Sequence, residues 1–357
     1  MLGANVATNA NLKDKKNLDT LVLKWDDGLQ DAQVAKEILN MLRPEILNML
    51  RPHVTLKTLS IEGYVGETFP TWLGDLSFSN LVDLRIERCG KCTLLPAFGQ
   101  LPSLKRLIIK KMDEVQMVGR EFYGQLEQPF QSLEKLCFED MPKWEGWSPD
   151  LTSLSSRDTI PTTPKVLELV DCPKLKSIVD ELKKDTFLEE FVIKCCEKLS
   201  CLPRGLHRLS HLKKITIHDC KSLKSLGNLP AKLRSLEIED CEKLEALSEN
   251  MDDVRELREL RLSGANLCEQ VFELRLYRLT QANSCSVAVE ASFKTWRRLH
   301  IMLRNNDSIR EFKVFLCSQP ANRLRNFLKT GKIKTRHYAK MTSNYYMNIF
   351  WSSASSY

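Results

Sequence analysis

Four groups of residues in this 357-residue chain have types and spacings that chemistry uses. Cys89-x-x-Cys92 has the spacing of half a zinc site or of a dithiol redox pair. Cys195, Cys196 and Cys201 form a second thiol cluster, and His207, His211 and His218 fall within twelve residues, as a ligand set or a general base would. Gly90-Lys91-Cys92-Thr93 approaches a phosphate loop, but Arg85 stands where the first glycine belongs and Cys92 where a magnesium-holding hydroxyl belongs. None of the four is completed. No second cysteine pair or nearby histidine supplies four ligands around Cys89 and Cys92, and no Ser, Cys or Lys nucleophile is spaced against a base. The sequence therefore predicts no catalytic site, no metal site and no cofactor.

The elements that position these residues are copies of one unit. Pro164-x-x-Leu167-x-Leu169-x-x-Cys172-x-x-Leu175 is followed by Leu188-x-x-Phe191-x-Ile193-x-x-Cys196-x-x-Leu199. Leu212-x-x-Ile215-x-Ile217-x-x-Cys220-x-x-Leu223 and Leu233-x-x-Leu236-x-Ile238-x-x-Cys241-x-x-Leu244 come next, with the cysteines 24, 24 and 21 residues apart. This is a leucine-rich repeat. Its L-x-L core is a short strand with alternate side chains inward, and the later leucines fold the chain back over the same core. Each unit buries roughly four or five aliphatic side chains, worth about 1.5–3 kcal/mol apiece, and mostly against the next coil.

The repeat explains the thiols. Cys89, Cys172, Cys196, Cys220, Cys241 and, in a displaced unit, Cys317 occupy the ninth position, where they cap the strand from inside as reduced packing residues. His218 follows the inward Ile217 and points outward, whereas His207 and His211 fall on the return loop, so the three histidines are not expected to share a site.

Flanking units begin at Leu18, Leu56, Leu81, Leu104, Leu133 and Leu257. The fold expected is an α/β leucine-rich-repeat solenoid of about ten repeats, curved, with a parallel sheet on its concave face. It fills residues 1–264, and residues 265–357 form a basic, non-repeat extension, irregular apart from the unit Ile309-x-x-Phe312-x-Val314-x-x-Cys317. That extension carries 15 Lys and Arg against 5 Asp and Glu, net +10 of a total of +7, which leaves −3 on the repeats. The repeats are thus not a polyanion binder by net charge. No unit precedes the first strand, so the array reads as a piece of something longer. Residues 31–50 read as helix broken at Pro44, and they contain Glu-Ile-Leu-Asn-Met-Leu-Arg-Pro twice, at 37–44 and 45–52. The duplication is expected to be peripheral.

Positions three, five, seven and eight of each unit point away from the core. In three successive units they supply Arg85, Arg88, Arg106, Lys110, Lys111 and Lys135 against Asp83 and Glu87, while Ser235, Glu237, Glu239, Asp240 and Glu259 make the later units acidic. Two readings stand side by side: charges that solvate a sheet, and a polar surface for a protein partner. No apolar run has the length of a membrane helix, and residues 1–16 lack the order of a secretory signal, so a cytoplasmic protein is expected.

Several loops go beyond what the generic repeat demands. They are Asn11-Leu12-Lys13-Asp14-Lys15-Lys16-Asn17-Leu18 before Leu21-Val22-Leu23-Lys24-Trp25, Phe69-Pro70-Thr71-Trp72-Leu73-Gly74-Asp75, Gly99-Gln100-Leu101-Pro102-Ser103-Leu104-Lys105, Glu121-Phe122-Tyr123-Gly124, and Phe138-Glu139-Asp140-Met141-Pro142 with Trp144. In these, residues 11–264 resemble the repeat region of plant intracellular nucleotide-binding leucine-rich-repeat disease-resistance proteins of the coiled-coil class. The resemblance implies recognition of a pathogen effector or a guarded host protein, and restraint of a nucleotide-binding domain that this sequence does not contain. It also admits a truncated, non-signalling decoy. A substrate-receptor repeat of an F-box ubiquitin ligase is the alternative, since its units also carry Cys at position nine. Nucleic-acid binding is not expected of the repeats; through the basic extension it predicts salt-sensitive association.

Overall fold

The computed structural model describes residues 9–25, 46–147, 164–178, 186–244, 247–248 and 253–263, and the backbones of four later strands. It divides into two compact units, residues 1–199 with 203–205, and residues 200–202 with 206–357.

In the first unit seven parallel strands follow one another: β1 (Thr20–Lys24), β2 (Thr58–Glu62), β3 (Asp83–Glu87), β4 (Arg106–Lys110), β6 (Lys135–Glu139), β8 (Val166–Val170) and β9 (Glu190–Lys194). A side pair, β5 (Met117–Val118) with β7 (Gly146–Trp147), ties two return segments together. Register is repeat against repeat: Leu59 lies opposite Leu84, Leu84 opposite Leu107, Leu107 opposite Leu136, and Leu167 opposite Phe191. Inward residues such as Leu59, Ile61, Leu84, Ile86, Leu107, Ile109 and Leu136 are 0–1% exposed. In β1, by contrast, Leu21 and Leu23 are only half-buried.

The second unit continues the scheme with β10 (Lys214–His218), β11 (Ser235–Glu239), β12 (Glu259–Leu262), β13 (Ser286–Ala291) and β14 (Glu311–Leu316), all parallel. β16 (Met347–Ser352) then pairs antiparallel with β14, and β15 (Tyr338–Met341) antiparallel with β16. Periodicity locates β14 but not β13, β15 or β16. Cys317 and residues 37–45, with the first octad copy, lie outside the described residues.

Two backbone devices join the coils. The carbonyl at position two receives both leading N–H groups of the next strand, as when Val82 and Asp83 donate to Lys57, and Lys105 and Arg106 donate to Val82. At position eight the chain turns into the left-handed region at Gly63, Arg88, Lys111, Asp140, Asp171, Cys195, Asp219 and Asp240, with φ between 50° and 74°. There the N–H reaches the last carbonyl of the next strand: Gly63 to Glu87, Arg88 to Lys110, Lys111 to Glu139, Asp140 to Val170. A left-handed residue other than glycine costs roughly 1–2 kcal/mol, least for Asp. At Gly63 a side chain is also sterically barred, because a Cβ would sit 2.5 Å from the Trp25 carbonyl oxygen.

The longer repeats use their extra residues to widen the core. Phe122 is fully buried, with ring centroids of Phe130 at 5.0 Å, Phe138 at 6.0 Å and Phe98 at 6.2 Å. Trp144, also fully buried, lies 4.7 Å from Phe138 and donates its indole N–H to the Gly146 carbonyl at 2.8 Å. Among the described residues the connections are short 3-10 turns, such as Thr71–Gly74 and Phe98–Gln100, rather than long helices.

The second octad copy departs from its expected peripheral place. Residues 46–49 form a helical turn whose Leu47 is fully buried, and the Trp72 indole N–H donates to the Leu47 carbonyl at 3.2 Å. Arg51 bonds Asp75 at 2.7 Å and lies 5.6 Å from the Phe78 ring centre. Packing against the Trp72 turn makes this copy part of the core.

Candidate functional site

Alternation fixes the outward face of β2 to β9, because every inward residue is consumed by the core. All six sequence-predicted contact residues are on that face or in the turn that follows it, and each is in an ion pair. Arg106 reaches Asp83 on β3 at 2.5 Å, Lys110 reaches Glu139 on β6 at 2.5 Å, and Lys135 reaches Glu168 on β8 at 2.7 Å. Arg85 pairs with Glu87 on its own strand at 2.6 Å. Arg88 and Lys111, the left-handed residues after β3 and β4, pair with Glu62 and, at 3.9 Å, with Asp140.

The face is therefore a two-signed mosaic. Its missing anions, Glu62, Glu139, Glu168 and Asp140, come from neighbouring units, and strand register supplies them. Hydrogen bonding to Glu139 raises the Lys110 ammonium above its usual range. Partial burial pushes Glu87 up, but the Arg85 guanidinium prevails and lowers its carboxyl. Between the charges lies Cys137, outward by alternation yet 4% exposed, its thiol pushed up to about 12 by burial and then by Glu168. Exposed ion pairs contribute about 0–1 kcal/mol each, so their consequence is the pattern they display rather than stability.

The CxxC pair resolves into two core positions. Cys89 is the ninth residue of its unit and Cys92 the twelfth, both fully buried. Cys89 donates to the Glu87 carbonyl at 3.4 Å and Cys92 to the Gly66 carbonyl at 3.0 Å. Burial raises both thiols, Cys89 to about 12, which keeps them protonated and poor as ligands or nucleophiles. Cys196 is likewise held well above its usual range by its hydrogen bond with Cys172 and by burial. Cys195 is half-buried in its left-handed turn, and Cys201 is exposed.

His207 and His211 are exposed on the connection before β10, away from the strand face that carries His218. The structure does bring His218 beside Glu237 and Glu239 of the next strand, a grouping the sequence reading missed because it compared histidines only with one another. Their shared outward position, seven against five and seven one repeat later, is the signal that finds it. Two acidic residues here have other partners: Arg261 lies 3.5 Å from Glu237, and Ser235 donates to Glu259 at 3.2 Å.

Residues 2–112 match the family of R13L1/DRL21 leucine-rich repeats. Disease resistance RPP13-like protein 1 of Arabidopsis thaliana is 32% identical over 68% of this chain and 26% of its own length. The disease resistance protein At3g14460 of the same plant is 40% identical over 48% of this chain and 12% of its own, and RGA2 of Solanum bulbocastanum 29% identical over 62% and 22%. The chain thus spans about a quarter or less of the length of these relatives. Among the described residues no helix is long and apolar enough to cross a membrane.

Proposed function

We propose that this chain, a leucine-rich-repeat region of the plant disease-resistance type, is the protein-recognition part of a cytoplasmic immune receptor. Its partner is a pathogen effector, a guarded host protein or the receptor's own nucleotide-binding domain, which it holds inactive until recognition. Arg85, Arg88, Arg106, Lys110, Lys111 and Lys135 are the contact residues of this reading.

The observation that supports it is the charge mosaic on β2 to β8, in which cations and carboxylates of adjacent strands, about 4.8 Å apart, pair across the sheet. A mosaic of pairs has little long-range attraction for a polyanion. It is instead read at contact by a surface of complementary pattern, which gives specificity more than raw affinity. The test is calorimetric binding of the full chain to the separately expressed nucleotide-binding part of a receptor such as RPP13-like protein 1, at low and high salt. Saturable one-to-one binding supports the reading, and its absence at both salts contradicts the restraint role.

A further inference from the structure

On the outward face of the second unit, β10 and β11 set four polar side chains at the corners of one rectangle. Thr216 stands opposite Glu237, and His218 opposite Glu239. Ile215, Ile217, Leu236 and Ile238 of the same strands are fully buried, so alternation turns the four corners to the other side. His218 Nε2 lies 3.9 Å from Glu237 Oε1, and Nδ1 lies 3.7 Å from Glu239 Oε2. One ligand atom from each residue lies within 4.8 Å of the others.

These separations are too long for hydrogen bonds. They are about 0.3–0.9 Å wider than the edges, about 3.0–3.4 Å, of a coordination shell with ligands at about 2.0–2.2 Å. All three side chains are half-exposed and so have room to rotate toward one another. A second observation is independent of the carboxylates. The Thr216 hydroxyl, in a residue 4% exposed, and His218 Nε2 are both buried without a hydrogen-bond partner among the described residues. Buried polar atoms of this kind are normally satisfied, and both stand on the rectangle. The two carboxylates carry two negative charges; the Arg261 guanidinium, 3.5 Å from Glu237, offsets one. Glu259 beyond them is engaged by Ser235.

We propose that His218, Glu237 and Glu239 bind one divalent first-row transition-metal ion, with the Thr216 hydroxyl beside it, and that the ion clamps β10 to β11. One imidazole nitrogen with two carboxylates suits Zn²⁺, Co²⁺ or Mn²⁺, whereas Mg²⁺ and Ca²⁺ favour oxygen ligands alone. Three side-chain ligands leave coordination positions for water. Arg261 competes with the ion for Glu237, so metal loading and that ion pair oppose each other.

The test is titration of the full chain with Co²⁺ and then Zn²⁺, followed by visible and near-ultraviolet absorption and by calorimetry. We expect one equivalent of Co²⁺ to give d–d bands without thiolate-to-cobalt charge transfer, and Zn²⁺ to displace it. His218→Ala and Glu239→Gln should each weaken binding more than about tenfold. Arg261→Ala should tighten it, and Asp83→Asn in the first unit should leave it unchanged. Circular dichroism checks the fold of each variant. If His218→Ala does not fold, the nearly isosteric Glu239→Gln decides alone. A thiolate charge-transfer band, binding indifferent to a folded Glu239→Gln, or equal affinity for Mg²⁺ overturns the proposal.

Discussion

The thiol of Cys172 lies 3.3 Å from the carbonyl oxygen of Val170, the same oxygen that accepts the N–H of Asp140 from the preceding coil. Cys196 with Lys194, Cys220 with His218 and Cys241 with Glu239 repeat the contact at 3.4–3.5 Å. The ninth residue is thus small enough for the core and still a donor to the strand's last carbonyl. Cys172→Ala should lose that bond and leave a void, costing about 1 kcal/mol by urea unfolding, and Cys172→Leu should cost more through overpacking.

Alkaline pH should destabilise the fold. Cys89 and Cys137 rise from 9.0 to about 12, and Tyr64 from 10.0 to about 12, in each case chiefly through burial. Raised values mean that the folded chain keeps protons the unfolded chain has lost. Their contribution is therefore complete below the unfolded values and fades as pH climbs toward the folded ones. The melting temperature should fall steadily from about pH 9 to about pH 11, and Cys137→Ala should lessen the slope.

The second octad copy should prove structural. Leu47→Ala removes a fully buried side chain and should cost about 2–5 kcal/mol. Trp72→Phe, which loses the bond to the Leu47 carbonyl and some ring area, should also destabilise. Thermal unfolding of both variants unchanged from the parent would return the octad to the periphery.

Position eight separates glycine from the rest. Gly63→Ala should destabilise by more than about 1 kcal/mol, since φ is +74° and the new methyl meets the Trp25 carbonyl. Cys195→Gly should be neutral or slightly stabilising, because it relieves a left-handed cysteine at φ 53°.

Positions four, six and nine are legible in the sequence because the core admits only apolar side chains there, and Leu84, Ile86 and Cys89 announce them as plainly as Leu236, Ile238 and Cys241 do. Position eight is half-legible. Gly63, Asp140, Asp171, Asp219 and Asp240 favour a left-handed turn, but Arg88, Lys111 and Cys195 do not, and backbone bonding to the next strand imposes it on them. The face is least legible, since which carboxylate meets Lys110 or Lys135 depends on register with a unit about thirty residues away. Likewise, the meeting of His218 with Glu237 requires two strands in place.

The central claim, that a partner reads the ordered charges of β3 to β8, is tested most directly by exchanging charges within pairs. Asp83→Arg with Arg106→Asp, and Lys110→Glu with Glu139→Lys, keep each exchanged pair while reversing its polarity. Stability should change by less than about 1 kcal/mol. Affinity for the nucleotide-binding part, measured by calorimetry, should drop at least about tenfold, a loss of about 1.4 kcal/mol, and recover when only one pair is inverted. Undiminished binding by the doubly exchanged chain would contradict the account and leave the charges as solvated surface.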